Sequence, residues 1–217
     1  MNIITTEKSS LFASQLFTPE IADQWLEYLK LEILPVLDKH PQGIAFGKSV
    51  TMHRNIGFFS DTSKGYKFTK HMFHSHKLSQ FSKLQNLLNQ MNVTLGTKYN
   101  GILINSYQGG ADYISQHADD EKELDPSAKV AAISFGSPRI FRVTLNPKCK
   151  YAVDVAYAKQ CLNKKCKLFT VDVPTEHGQL LIMNGNFQHE FLHGIPASTQ
   201  ISDNSLRFSL TFRYHTE

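Results

Sequence analysis

Cysteine is scarce in this 217-residue chain, and Cys149, Cys161 and Cys166 form no even framework. That excludes a scaffold stapled by disulfides and points to a reducing compartment. Their spacing matches no common zinc pattern, so reduced thiols in a loop are expected. Nowhere do about 18 apolar residues stand together, which excludes a bilayer-spanning helix. Met1 to Phe12 lacks a positively charged start running into a long apolar segment, so no secretory leader is expected and the chain reads as soluble and intracellular. Also absent are a Pro/Gly/Ser-rich linker, an internal repeat and any low-complexity run. With 41% hydrophobic and 11% aromatic residues, one domain over residues 1–217 is expected.

An excess of acid is missing too: the formal net charge is +4 and the sequence pI is near 8.9. The positive charge is uneven, with six lysines against the single acid Asp154 between Lys148 and Lys167. Such a run can track phosphates, although a lysine-rich insert is more often a solvated face.

What the chain does have is periodicity. Thr18-Pro19-Glu20 reads as a helix start, with a capping hydroxyl, proline in the first turn and an acid at the positive end of the dipole. Ile21, Trp25, Tyr28 and Leu29 then recur at helical spacing up to Pro35, and Leu78, Phe81, Leu84, Leu88 and Met91 mark a second helix before Gly96. From Gly101 the period becomes two. Gly101 to Tyr107, Val130 to Phe135, Ile140 to Leu145, Leu168 to Val173 and Gln179 to Met183 read as short strands.

The last strand has the clearest pattern. Leu206, Phe208, Leu210, Phe212 and Tyr214 face one way; Arg207, Ser209, Thr211 and Arg213 face the other. Burying two arginines and two hydroxyls is costly unless something anionic meets them. Many short strands behind leading helices predict an α+β, mainly β fold, a double-sheet jelly roll buttressed by N-terminal helices.

One pentapeptide carries candidate chemistry: His117-Ala118-Asp119-Asp120-Glu121. In an extended segment His117 and Asp119 point the same way while Ala118 points out. Two imidazoles and one carboxylate can occupy one face of an octahedral Fe(II) and leave positions open for chemistry. The second imidazole must come from elsewhere. His189 and His193 stand four apart, and Asn184-Gly185-Asn186 and Gly194-Ile195-Pro196 argue against one helix carrying both, so periodicity leaves the two as alternatives. His53, His71, His74 and His76 read as surface or core-edge residues.

Several segments in register carry a resemblance: Asn105-Ser106-Tyr107-Gln108-Gly109-Gly110, the pentapeptide, Ser134-Phe135-Gly136, Arg139, Phe141, His177-Gly178 with Leu181 and Met183, His193-Gly194-Ile195-Pro196, and Arg207 to Arg213. Over roughly residues 40 to 214 the chain resembles the AlkB-like dioxygenases, which use Fe(II), O2 and 2-oxoglutarate. The resemblance implies His193 as the third metal ligand beside His117 and Asp119. It also implies that Asn105 and Tyr107 hydrogen-bond 2-oxoglutarate, that Arg207 pairs with its distal carboxylate, and that Arg213 sits near the carboxylate that chelates iron, with Ser209 and Thr211 between them. Where the family often carries Asn, this chain has Ser209.

Phe46-Gly47-Lys48, Arg54 and Tyr66-Lys67-Phe68 resemble the nucleotide-recognition lid of family members that repair duplex DNA. Tyr66 and Phe68 would stack on a flipped base, Phe46 would fill the stack it leaves, and Lys48 and Arg54 would touch phosphate. Asp120 and Glu121 would meet a cationic alkylated base.

The expected layout is then helical support over residues 1–40, a lid over 41–75 and a jelly-roll core over 100–215. The implied activity is oxidative demethylation of 1-methyladenine or 3-methylcytosine, giving succinate, carbon dioxide and formaldehyde. Nucleic acid is the expected partner, DNA ahead of RNA, for a monomeric chain with no membrane contact. Two alternatives remain: a dioxygenase acting on a protein or lipid, and an inactive jelly-roll binding module.

Overall fold

In the computed structural model, the residues described are 1–45, 47–68, 71–125, 127–149 and 170–216. Strands β1 (Asn2–Thr5) and β2 (Ser9–Gln15) come first, then helix α1 (Pro19–Tyr28), which continues as a π turn over Leu29–Ile33 and a 3-10 turn over Leu34–Val36. Pro35 has no N–H for the carbonyl one turn back, and the regular helix is lost before it. Next come β3 (Gln42–Ala45), β4 (Lys48–Thr51), β5 (Asn55–Phe59), β6 (Gly65–Phe68) and β7 (His71–His76). Helix α2 (Ser82–Leu95) ends on Gly96, whose φ of +62° is the left-handed conformation glycine adopts cheaply.

The rest is nearly all strand: β8 (Gly101–Gln108), β9 (Ile114–His117), β10 (Val130–Gly136), β11 (Arg139–Leu145), β12 (Thr170–Thr175), β13 (Gln179–Gly185), β14 (Phe191–Ile195) and β15 (Leu206–Arg213). A helical turn, Phe187–Glu190, precedes β14. The strands form a nine-stranded sheet, β1-β2-β13-β10-β15-β8-β5-β7-β6, and a four-stranded sheet, β12-β11-β14-β9. A separate hairpin pairs β3 with β4. This is the two-sheet jelly roll that the strand pattern predicts.

Alternation along the central strands gives the large sheet two different faces. Phe208, Leu210 and Phe212 of β15, Ile102 and Ile104 of β8, and Ala131, Ile133 and Phe135 of β10 pack on the helices through Trp25, Leu29, Leu84, Leu88 and Met91. The intervening residues point at the small sheet. In register across β10, β15 and β8 lie Ser134, Ser209 and Asn105, then Ala132, Thr211 and Leu103, with Arg207 opposite Tyr107. Nearer β1, the space between sheets is filled by Leu11, Val130, Phe141, Val143, Leu181, Met183, Phe187 and Phe191.

Several expectations need correction. The helical support over residues 1–40 includes β1 and β2, which extend one edge of the large sheet. The inward positions of β2, Ser9, Leu11 and Ala13, are all buried but contain no β-branched residue, and β1 is only four residues long with Ile4 as its buried position, so the strand signal is weak. The buried stripe of α1 runs through Ala22, Trp25, Leu29 and Ile33, leaving Ile21 exposed, and Thr18 makes no side-chain capping hydrogen bond. The lid over 41–75 is only partly separate, because β5, β7 and β6 continue the large sheet and Ile56, Phe58, Tyr66 and Phe73 form a cluster of their own. Cys149 is buried and unpaired; Cys161, Cys166 and the lysine run from 150 onward lie outside the described residues. Among the described residues no helix is long and apolar enough to cross a membrane.

Gly136 joins β10 to β11 and pairs with Arg207 at φ +90°, and an added Cβ would lie 2.2 Å from the Leu206 carbonyl oxygen. Gly136→Ala should therefore destabilise the fold by about 1–3 kcal/mol. Urea unfolding checks this, and an unchanged midpoint would contradict it.

Candidate metal centre and its charged cavity

The two sheets enclose a small cavity of about 50 Å3. His117 ends β9 and His193 lies on β14; the strands pair so that these two histidines are direct partners, with ring centroids 4.5 Å apart. Asp119 follows His117 by two residues and turns into the same space. His117, Asp119 and His193 offer ligand atoms all within 4.8 Å of one another, and among the described residues they are the one such group of three. His189 is exposed on the helical turn before β14, in a different element from His193. The strand pairing thus separates two histidines that periodicity could not.

Hydrogen bonds orient this group. His117 Nδ1 lies 2.9 Å from the Ser115 carbonyl, which can only accept, so Nδ1 carries the hydrogen and the Nε2 lone pair is left for the centre. Nε2 stands 3.5 Å from Asp119 Oδ1, and His193 Nε2 stands 3.8 Å from Asp119 Oδ2. Burial and neighbouring His117 push the His193 pKa down to about 3, which leaves it neutral, the form that binds metals. Arg213 Nη2 donates to Asp119 Oδ1 at 2.6 Å. Burial alone would raise the Asp119 pKa, but Arg213, with His117 and His193, outweighs it and holds the group ionised. Asp119 Oδ2 is buried with no hydrogen-bond donor. Two imidazoles beside a carboxylate oxygen lacking a donor suit a divalent cation bound by nitrogen and oxygen.

Behind the triad, the polar face of the large sheet supplies cations. Arg207 is 3% exposed and donates to Ser134 Oγ at 2.9 Å, yet its Nε and Nη1 have no partner. Burial lowers its pKa to about 10, still high enough to stay charged at neutral pH. A buried guanidinium with free donors and no carboxylate partner is the chemical complement of an anionic ligand. Asn105, Tyr107, Ser209 and Thr211 line the same cavity.

The other predicted residues divide into those the fold gathers and those it does not. Tyr66 and Phe68 are stacked with centroids 6.3 Å apart, and Phe68 meets His117 edge-on at 6.1 Å, so both stand beside the triad. The Tyr66 hydroxyl donates to Glu121, whose other carboxylate oxygen is 3.7 Å from Arg213 Nη1. Burial raises the Glu121 pKa against the pull of Arg213. Asp120 is exposed on the rim, and Lys48 is exposed on β4 away from the cavity lining. Arg54, expected at phosphate, is instead 5% exposed inside the cavity. Phe46 lies outside the described residues.

Two further residues contribute to the site, Gln188, which the sequence reading missed, and Arg139, to which it gave no role of its own. Gln188 Oε1 accepts the Asp119 backbone N–H at 2.9 Å, fastening the ligand loop to the turn that leads into β14. Arg139 donates to the carbonyls of Gly109, Asp112 and Pro196, closing the loops around His193. Both act across long sequence separations, which no local pattern reports.

Comparison with known proteins agrees with this geometry. The family model described as the 2OG-Fe(II) oxygenase superfamily matches residues 10–213. The chain is 29% identical over 193 residues to the DNA oxidative demethylase ALKBH2 of Arabidopsis thaliana, covering 82% of this chain and 59% of that protein. It is 28% identical over 200 residues to human ALKBH2, covering 91% and 70%. It is 32% identical over 127 residues to the cattle alpha-ketoglutarate-dependent dioxygenase alkB homolog 3, covering 58% and 40%. The match therefore spans less than two thirds of the Arabidopsis and cattle relatives. In fold, the chain is similar to OsALKBH1 (TM-score 0.53, 17% identity, 99% and 100% covered). It is similar also to a Trichoplax adhaerens prolyl hydroxylase (TM-score 0.54, 13% identity, 97% and 84% covered).

Asp119→Ala should abolish Mn(II) binding measured by equilibrium dialysis. It should also lower the stability of the metal-free protein by about 3–5 kcal/mol, because Arg213 is left buried without its carboxylate. Retained metal binding would contradict the triad.

Proposed function

Because the chain belongs to the 2OG-Fe(II) oxygenase superfamily, we propose that it is an AlkB-like dioxygenase that removes N-methyl groups from nucleic-acid bases, DNA ahead of RNA. The observation that carries this reading is the buried, anion-seeking Arg207 in the same cavity as the His117, Asp119 and His193 triad. Bound together there, Fe(II), 2-oxoglutarate and O2 would supply a two-electron oxidation of a carbon–hydrogen bond, which no side chain can perform.

The protein's own part is binding and orientation. His117, Asp119 and His193 would hold the metal on one side and leave the other side for cosubstrate and oxygen. Arg207 would take the distal carboxylate of 2-oxoglutarate, with Asn105, Tyr107, Ser209 and Thr211 along its length. Arg213 keeps Asp119 ionised and in place. On the outer side, the stacked pair Tyr66 and Phe68 with His117 makes an aromatic wall next to the centre. A flat, apolar-faced ligand such as an extruded base fits that wall better than a peptide chain does.

The acids beside the ligands favour a cationic base, as 1-methyladenine and 3-methylcytosine are. Glu121 is engaged by Tyr66, so one acid and one stacking ring form a unit. Asp120 is exposed on the rim and able to meet an incoming cation. Unpaired or damaged bases cost least to extrude, which adds selectivity before chemistry begins.

The test is mass spectrometry of products from oligonucleotides carrying 1-methyladenine or 3-methylcytosine, as DNA and RNA, single- and double-stranded, with Fe(II) and 2-oxoglutarate. Demethylated base with matching succinate and formaldehyde is expected. Succinate without any repaired base would redirect the reading to a protein or lipid substrate, and no succinate at all would end it. Within the same panel, Phe46→Ala should reduce repair of duplex more than of single strands; equal loss on both would exclude a stack-filling role.

A further inference from the structure

The proposed cosubstrate roles leave one buried cation of the cavity without a task. Arg54 stands immediately before β5, and its Nε donates to Asn105 Oδ1 at 2.8 Å. Its guanidinium lies 5.4 Å from the centroid of the Phe68 ring. It therefore bridges the aromatic wall and the polar floor formed by Asn105, Ser209 and Ser134.

The direction of that hydrogen bond has a consequence for Asn105. A side-chain amide has an accepting oxygen at one end and a donating NH2 at the other, nearly identical in shape. A guanidinium Nε–H can only donate. Arg54 thus requires the Asn105 oxygen on its own side, and the NH2 must point away from it. Whatever Asn105 meets through that NH2 has to be an acceptor.

We infer that Arg54 is a positioning residue that locks the Asn105 amide with its NH2 toward the cavity, so that Asn105 greets an anionic cosubstrate as a donor. This rests on the reading of the cavity as a 2-oxoglutarate site. Without Arg54 the amide is free to turn its oxygen toward a carboxylate, which is repulsive. The same arginine was expected at phosphate on the outside; its burial and its bond to Asn105 place it on the cosubstrate side of the wall instead.

Calorimetric titration of 2-oxoglutarate into Mn(II)-loaded protein tests this without turnover. Arg54→Met keeps bulk and loses the donor, and should weaken 2-oxoglutarate binding about tenfold. Arg54→Lys keeps a donor and should stay within about threefold of the parent protein. Asn105→Ala should weaken binding too, and adding Arg54→Met to it should cost nothing more, because Arg54 acts through Asn105. Unchanged affinity in Arg54→Met, or losses that simply add in the double variant, would overturn the inference. So would equal impairment of the Met and Lys variants with a matching loss of thermal stability, which marks a packing role. If the parent protein binds Mn(II) but no 2-oxoglutarate, the functional reading itself fails, an outcome distinct from all of these.

Discussion

The ion pair between Arg213 and Asp119 is the constraint on which the cavity depends. Arg213 ends β15 in the large sheet, Asp119 follows β9 of the small sheet, and both are almost fully buried. Removing two charges from water costs several kcal/mol for each ion, so such a pair persists only with good geometry and further partners. Here the pair has them: a 2.6 Å contact, His117 and His193 near the carboxylate, and Tyr66 and Glu121 near the guanidinium. Burial alone would lower the Arg213 pKa, but Asp119, Tyr66 and Glu121 reverse the sign and raise it. The same contact that ties the sheets together keeps Asp119 a carboxylate.

Charge in the cavity is unbalanced in an instructive way. Arg54, Arg207 and Arg213 face one ionised acid, Asp119, with Glu121 close by. A divalent metal alone would add to that excess, and a dianion alone would meet it without a cation to chelate. Bound together they nearly cancel each other's charge. Each ligand should then favour the other, by the reciprocity that links any two binding equilibria. Self-repulsion among the guanidiniums is tolerable in the meantime because each has a local acceptor: Asn105 for Arg54, Ser134 for Arg207, Asp119 for Arg213.

How much of this was legible in the sequence follows from the range of the interactions. The alternation of β15 foretold both of its faces, since strand periodicity is a property of five or six consecutive residues. The α2 stripe through Leu84, Leu88 and Met91 and its Gly96 stop were legible for the same reason, although Leu78 lies in a 3-10 turn ahead of the helix, which starts at Ser82. The metal triad was only half legible: His-x-Asp is local, but choosing His193 over His189 required either the family resemblance or the pairing of β14 with β9. β2 was invisible because its buried positions are serine, leucine and alanine, and β1 is only four residues long. Arg54 was expected at phosphate because its segment resembles a nucleotide-recognition lid, and its bond to Asn105, which spans 51 positions, is beyond any local pattern.

The placement of β5 explains why such a residue can matter at all. β5 lies beside β8, with Ile56 opposite Asn105, so the segment before it emerges over the polar floor of the cavity. The upstream region is therefore not a cover laid on a finished barrel. Its strands β5, β7 and β6 complete one edge of the large sheet, and Tyr66 and Phe68 reach the triad from that edge. A base seated against Phe68 would touch a ring whose other neighbour is Arg54, and Arg54 in turn holds Asn105. The aromatic wall and the polar floor are thus one packed unit, joined through the Arg54 guanidinium.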